Sequence, residues 1–116
     1  MKKILYWIVF FILCSANMAF ASDAQRKLSS GLEESSVVIK SSAGKAYGIT
    51  AIATAANGYA TVYDSSTAST SNDTVLFEIQ GATQNDSKTE RDEEGINAYE
   101  GIYLELNDAK AIVYYY

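Results

Sequence analysis

Short runs of β-branched and aromatic residues, separated by turn signals, are the feature that most constrains how this chain can fold. No segment after residue 36 shows a strong helical pattern, whereas alternation typical of strands recurs to the end of the chain. Six strands are predicted, at residues 37–39, 45–55, 59–63, 74–80, 96–106 and 109–116. One core and short turns therefore indicate an all-β fold, an antiparallel β-sandwich or jelly-roll-like fold of about six to eight strands.

The connections carry their own signals. Asn57-Gly58 lies between two strand-like runs, and both residues tolerate positive φ, so we expect a two-residue hairpin that pairs residues 59–63 with the preceding strand. Residues 64–73 form a polar low-complexity loop. Residues 82–95 have no apolar periodicity, which favours a mobile acidic loop with at most a short edge strand.

Alternation also predicts which side chains face the core. Tyr103 and Glu105 are expected on the outward face. The predicted core residues of the two clearest strands are Val75, Phe77, Ile79, Ile102, Leu104 and Leu106.

The N-terminal residues resemble an export signal. Lys2 and Lys3 supply the charged start, residues 4–13 are apolar, and Ala19-Phe20-Ala21 has the small-x-small cleavage pattern. We expect a signal peptide at residues 1–21, cleaved after Ala21, and a secreted or periplasmic mature protein. A polar lead at residues 22–35, either a helical turn or a mobile segment, would precede a sandwich domain at residues 36–116.

Two other interpretations of the first segment stay open. A retained membrane anchor would need about 20 apolar residues, and the strictly apolar run here is about half that length. A lipoprotein would use Cys14, but Leu13 stands where processing normally needs a small residue. After cleavage we expect no membrane span.

Composition excludes most familiar active-site chemistry. The chain has no His and no Pro, and Cys14, Trp7 and Met18 all precede the predicted cleavage site. The mature domain can therefore form no disulfide within itself, and it lacks the ligands and nucleophiles of zinc, haem, iron–sulfur and Ser-His-Asp sites. We expect a protein that is not an enzyme, with no catalytic residues and no cofactor.

Charge argues against a nucleic-acid partner. The chain carries 9 Lys and Arg against 14 Asp and Glu, and removal of Lys2 and Lys3 leaves 7 against 14, a net charge of −7. An acidic domain with scattered basic residues repels phosphate backbones.

The acidic residues of the 82–95 segment are weak candidates for a Ca²⁺ site. Carboxylate oxygens suit this cation, although the spacing is not that of a helix-loop-helix calcium loop, and solvated acidic loops are common. A glycosidase carboxylate pair is disfavoured because the residues share one loop. The candidates are Asp86, Glu90, Asp92, Glu93 and Glu94.

Tyrosine is the most informative residue type, with eight of its nine copies after residue 21. Neighbours in a strand face opposite ways, so Tyr114 and Tyr116 point away from Tyr115 and at least one face of the last strand presents aromatic surface. Tyr103, Tyr114, Tyr115 and Tyr116 are candidate interface residues, because tyrosine is enriched at interfaces. Half-buried cross-strand pairing is the alternative. An exposed terminal strand would also be a free edge that self-association could cover.

Several segments together resemble the small β-sandwich virion proteins of tailed bacteriophages. They are residues 37–45, Tyr47-Gly48-Ile49, residues 58–64, Gly95-Ile96, residues 101–106 and residues 111–116. The resemblance covers roughly residues 37–116 and implies a non-enzymatic domain that decorates or joins a larger particle through its sheet faces and edges. The export signal departs from that family, whose particles assemble in the cytoplasm.

Two functional hypotheses follow. The first is an exported structural or binding module that acts through β-sheet surfaces on a protein partner, as a self-assembling or virion-like decoration subunit in its most specific form. The alternative is an extracellular adhesion or ligand-binding sandwich that holds Ca²⁺ or glycan at the polar loops, residues 64–73 and 82–95.

Overall fold

The computed structural model describes residues 27–70 and 74–116, and in these ranges the protein is an all-β sandwich without a helix. The predicted fold class is therefore confirmed. The strands are β1 (Leu28–Ser29), β2 (Val37–Lys40), β3 (Gly44–Ala53), β4 (Tyr59–Asp64), β5 (Thr74–Gln80), β6 (Ser87–Ala98), β7 (Ile102–Asn107) and β8 (Ala109–Tyr115).

Each strand belongs to one of two four-stranded antiparallel sheets. Sheet A has the order β1-β8-β3-β6, and sheet B has the order β2-β7-β4-β5. The chain changes sheet at every connection except the one between β4 and β5. Each sheet is therefore built mostly from strands that are distant in the sequence.

The predicted signal peptide, residues 1–21, and its cleavage site lie outside the described residues. Within the two described ranges, no helix is long and apolar enough to cross a membrane.

The two-residue hairpin predicted at Asn57-Gly58 is wrong, because its flanking strands do not pair and only the first of the two residues has positive φ. The chain does turn here, with Gly58 N donating to the Ala55 carbonyl oxygen at 3.2 Å. Asn57 has the expected positive φ of 62°. The flanking strands do not pair, because β3 already lies between β6 and β8 while β4 lies between β5 and β7. A Cβ at Gly58 would collide with the Asp108 carbonyl, so glycine is required here by the close approach of the β7–β8 turn. The turn thus carries the chain from sheet A to sheet B.

The loop predicted at residues 82–95 is also wrong. Most of it belongs to β6, a 12-residue edge strand that pairs with β3 from Ser87 opposite Ile52 to Ala98 opposite Gly44. Alternation is missing because most of this strand is exposed on both faces. The single strand predicted at residues 96–106 is also two strands. Its first part is the end of β6 and its last part is β7, which belongs to the other sheet, and residues 99–101 join them.

The core lies between the sheets and contains most of the predicted residues. Phe77, Ile79, Ile102 and Leu104 are buried, and each such side chain contributes about 1.5–3 kcal/mol of transfer free energy. Leu106 is partly buried against this core.

Val75 is the exception, being 47% exposed. The pairing of β4 with β5 has an irregularity between Val62 and Tyr63, which leaves Leu76 without a register partner and aligns Val75 with Tyr63. Leu76 packs against the core instead. A bulge of this kind turns one side chain to the other face, which simple alternation cannot show.

The terminal strand is not a free edge, because the chain itself covers it and no second copy is needed to do so. β8 lies between β3 and β1, with Leu28 opposite Tyr115 and Ser29 opposite Tyr114. Glu33 forms a further antiparallel bridge with Ala111. Residues 28–33 of the predicted lead are therefore neither a helical turn nor free, because they cover the edge of β8.

Candidate functional site

The outer face of sheet B gathers tyrosines and carboxylates into one surface, which we call the tyrosine face. In β4 the buried Ala60 and Val62 point to the core, so the residues between and beside them point outward. The same alternation applies to β5 and β7. The tyrosine face consists of Tyr59, Thr61, Tyr63, Glu78, Gln80, Tyr103 and Glu105.

Strand register arranges these residues in rows across the sheet. Thr61 lies opposite Glu78 on one side and Glu105 on the other. Side chains in directly opposed positions lie about 5 Å apart at their Cβ atoms. Two carboxylates therefore flank one buried threonine in the middle row.

The neighbouring rows are aromatic. The rings of Tyr63 and Tyr103 stack with centroids 6.3 Å apart and an interplanar angle of 25°. At the other end, the Tyr59 hydroxyl donates a hydrogen bond to Glu105 Oε1 at 3.2 Å. A groove of about 340 Å³ runs between these rows, lined by Tyr59, Thr61, Tyr63, Glu78, Gln80 and Glu105.

This groove is electrostatically negative. Burial raises the pKa of the Tyr63 hydroxyl, and the charges of Glu105, Tyr59 and Glu78 raise it further, against a hydrogen bond with Thr61 that lowers it. Neither carboxylate forms an ion pair within residues 27–70 and 74–116, where the salt bridge present joins Lys110 and Glu34.

The four predicted interface tyrosines are divided between the two sheets. Tyr103 belongs to the tyrosine face, where it is only 6% exposed. Tyr115 packs against the core, while Tyr114 points out from sheet A and Tyr116 is 40% exposed beyond its end. The terminal tyrosines therefore do not join Tyr103 in one surface.

A second and larger groove, of about 710 Å³, lies on sheet A. It is lined by Lys27, Leu28, Ser29, Tyr47, Arg91, Asp92, Glu93 and Tyr114. The Lys27 ammonium lies 4.6 Å from the centre of the Tyr47 ring, and the Arg91 guanidinium lies 5.8 Å from that of Tyr114. The chain's own cations thus already occupy the aromatic surface of this groove.

The predicted Ca²⁺ ligands are not assembled into a site. Asp86 accepts a hydrogen bond from Thr83 N at 3.1 Å, which lowers its pKa, and Asp92 accepts from Glu94 N and Gly95 N at 3.1 Å each. Glu90, Glu93 and Glu94 are exposed along β6. In the part of the chain that the structure describes, no three acidic side chains are grouped so that they could hold a metal ion.

Asp64 was not singled out from the sequence. Its carboxylate accepts hydrogen bonds from the backbone N–H groups of Tyr99, Glu100 and Gly101, at 3.0, 2.8 and 3.4 Å. Burial alone would raise its pKa, but these three bonds outweigh burial and lower it. Asp64 thereby fixes the β6–β7 turn to the end of β4, and no local signal connects residues 35 positions apart.

Three members of the tyrosine face lie on β4, and the sequence alone could have shown that they share one side of that strand. Tyr59, Thr61 and Tyr63 alternate with two small apolar residues, which predicts a shared face once a strand is assigned. Glu78 and Glu105 join them because β5 and β7 lie on either side of β4, and the sequence does not reveal this strand order.

Known proteins offer no further guidance to the use of this face. Comparison with protein-family models, with curated proteins and with solved structures finds no match for the chain. The function is therefore inferred from the geometry of the chain itself.

Proposed function

We propose that this protein is an exported, non-enzymatic structural or binding module that contacts a partner through the outer face of one β-sheet. The observation that carries the proposal is the tyrosine face, where two tyrosines, two carboxylates, a threonine and a glutamine line one groove and a third tyrosine, Tyr103, stacks on Tyr63. Tyrosine combines a large apolar ring with a hydroxyl that water or a partner can bind, which suits contact surfaces.

The strand edges at β5, β6 and β8 are poorer candidates for contact than this face. β8 is covered by residues 28–33. Beside β5, Lys88 Nζ donates to the Gln80 carbonyl oxygen at 2.8 Å, which occupies an edge acceptor. The edge strand β6 of sheet A carries six charged residues among its twelve. Charged and covered edges oppose pairing with another chain.

Two features of the sequence support the remainder of the proposal. The resemblance to virion decoration proteins of tailed phages favours a structural role without catalysis. The pattern of residues 1–21 favours export, which would place the face in the periplasm or outside the cell.

The proposal is tested with the protein in the organism that encodes it. A complex heavier than the monomer should appear when the exported fraction is separated by size. Glu78→Lys reverses a charge in the centre of the tyrosine face and should release the monomer, whereas Glu93→Lys, on exposed β6, should not. A monomer in all three samples, or release by Glu93→Lys alone, would overturn the proposal.

A self-assembling subunit is the second candidate. It is favoured by Leu28 and Leu32, which are 48% and 54% exposed beside the edge of sheet A. Light scattering over a wide concentration range should then show oligomers that Leu32→Lys dissociates. Tyr115→Lys is unsuitable for this purpose because Tyr115 packs against the core.

A further inference from the structure

We propose that the tyrosine face recognises a basic side chain, lysine or arginine, of a partner protein. The inference depends on the proposed function, since it states the chemistry that the sheet face would recognise. It rests on how this chain distributes its own cations, on the two carboxylates of the groove and on the size of the groove.

Three of the five described tyrosines outside this face already hold cations. Lys27, Lys40 and Arg91 lie over the rings of Tyr47, Tyr116 and Tyr114, at 4.6, 5.6 and 5.8 Å from the ring centres. By contrast, within the described ranges no Lys or Arg lies over the rings of Tyr59 and Tyr63, the two tyrosines that line the groove. Tyrosine rings attract cations at distances up to about 6 Å, and this face leaves that capacity to a partner.

The carboxylates add charge of the sign that a basic side chain needs. Glu78 and Glu105 flank Thr61 in one row, and neither has an ion-pair partner among the residues described. The Lys88 ammonium is bound to the Gln80 carbonyl oxygen at the margin of the face. Exposed ion pairs are weak individually, so the rings and the carboxylates would have to act on the same cation.

The groove has the size and rigidity for the end of one side chain. A volume of about 340 Å³ is too small for a helix or strand of a partner. Tyr63 is stacked on the buried Tyr103, so its ring is held in place before binding. Such preorganisation reduces the entropy lost on association.

The charge of the whole chain favours the same partner. Removal of residues 1–21 leaves 7 Lys and Arg against 14 Asp and Glu, a net charge of −7, which attracts basic proteins and opposes the approach of a second copy. A basic segment of another protein is therefore the occupant to which the inference commits.

The test is a titration of the ¹⁵N-labelled exported protein, followed by NMR, with a ten-residue peptide of alternating glycine and lysine. A peptide with glutamine in place of lysine is the ligand control. We expect the amide resonances of Thr61, Tyr63 and Glu105 to shift with the lysine peptide and to stay still with the glutamine peptide.

Two double variants separate local recognition from general attraction. E78Q/E105Q should weaken binding at least tenfold, while E93Q/E94Q removes the same charge from β6 and should change the affinity less than twofold. Thermal unfolding checks that both variants fold. Equal weakening by the two, or shifts confined to β6, would overturn the inference.

Failure here can be told apart from failure of the proposed function. If Glu78→Lys dissociates the complex in the exported fraction but the lysine peptide does not bind, the face is a contact surface of another chemistry. Binding to phosphocholine vesicles in place of the peptide would overturn the inference in favour of a lipid headgroup.

Discussion

Single residues fix the crossings between the two sheets, and Asp64 is the clearest case. Its carboxylate accepts three backbone N–H groups from the β6–β7 turn, which arises more than thirty residues later in the chain. Gly58 allows the chain between β3 and β4 to pack closely on the β7–β8 turn, since a side chain there would collide with that turn. Both residues connect elements of different sheets.

Asp64→Asn should reduce stability at neutral pH by about 1–2 kcal/mol, the contribution of hydrogen bonds to a charged acceptor at a partly exposed site. The pKa of Asp64 is lowered in the folded protein, so its contribution is fully present above the unfolded pKa. That contribution is lost as the pH falls through the folded pKa. Urea unfolding at pH 7 should separate the variant from the wild type, and the two should converge once the pH falls below the folded pKa of Asp64.

Glu93→Gln is the control for this prediction, because Glu93 is an exposed carboxylate on β6. It should leave the unfolding midpoint unchanged at both pH values. An Asp64→Asn midpoint equal to that of the wild type at pH 7 would show that the three bonds add no net stability.

Tyr63 should ionise at a higher pH than an ordinary tyrosine. Burial is the main cause and the neighbouring glutamates add to it. Glu105→Gln should therefore lower the pKa of Tyr63 without returning it to the usual value, because burial remains. NMR of ¹³C-labelled tyrosine between pH 8 and 12 measures this directly, with free tyrosine as the reference. An unchanged Tyr63 titration in the variant would remove the glutamate contribution.

At the scale of strands, the sequence predicted elements better than it predicted their partners. Residues 74–80 and 109–116 match β5 and β8 almost to the residue, because alternation and turn residues are local signals. The pairing at Asn57-Gly58 was mispredicted, since a turn residue reports backbone conformation but not which strand lies alongside. β6 was missed because an edge strand exposed on both faces has no apolar period.

The tyrosine face illustrates the same limit. Alternation places Tyr59, Thr61 and Tyr63 on one side of a strand, whereas their meeting with Glu78 and Glu105 requires the sheet order. The predicted interface residue Tyr103 does lie there. The terminal tyrosines lie in the other sheet because β7 and β8 diverge at Asp108, whose φ is 49°.

Lys88 should protect the edge of β5 from pairing. It lies opposite the core-facing Ala51 and reaches across the open side of the sandwich to the Gln80 carbonyl. Inward-pointing charges on edge strands oppose edge-to-edge association. Lys88→Leu should therefore give concentration-dependent oligomers, measured by light scattering, whereas Lys45→Leu should not. Identical monomer masses for the wild type and Lys88→Leu would contradict this role.

At the scale of the whole molecule, the proposed export of this sandwich can be tested at its N-terminus. Expression of the full coding sequence in a bacterium should release a protein whose first residue is Ser22. N-terminal sequencing and intact mass measure this, and Ala21→Leu should impair cleavage because the small residue at the cleavage site is lost. Recovery of the uncleaved 12.6 kDa chain in the membrane fraction would instead support a retained anchor.

We propose that the partner contacts the face of a sheet and not the edge of one. A photo-crosslinking amino acid placed at Glu78, on the tyrosine face, and in a second variant at Glu93, on β6, tests it most directly in the encoding organism. Contact at the tyrosine face should give one adduct of defined mass from position 78 and none of that mass from position 93. Adducts of that mass from position 93 alone would place the contact at the β6 edge and contradict the account.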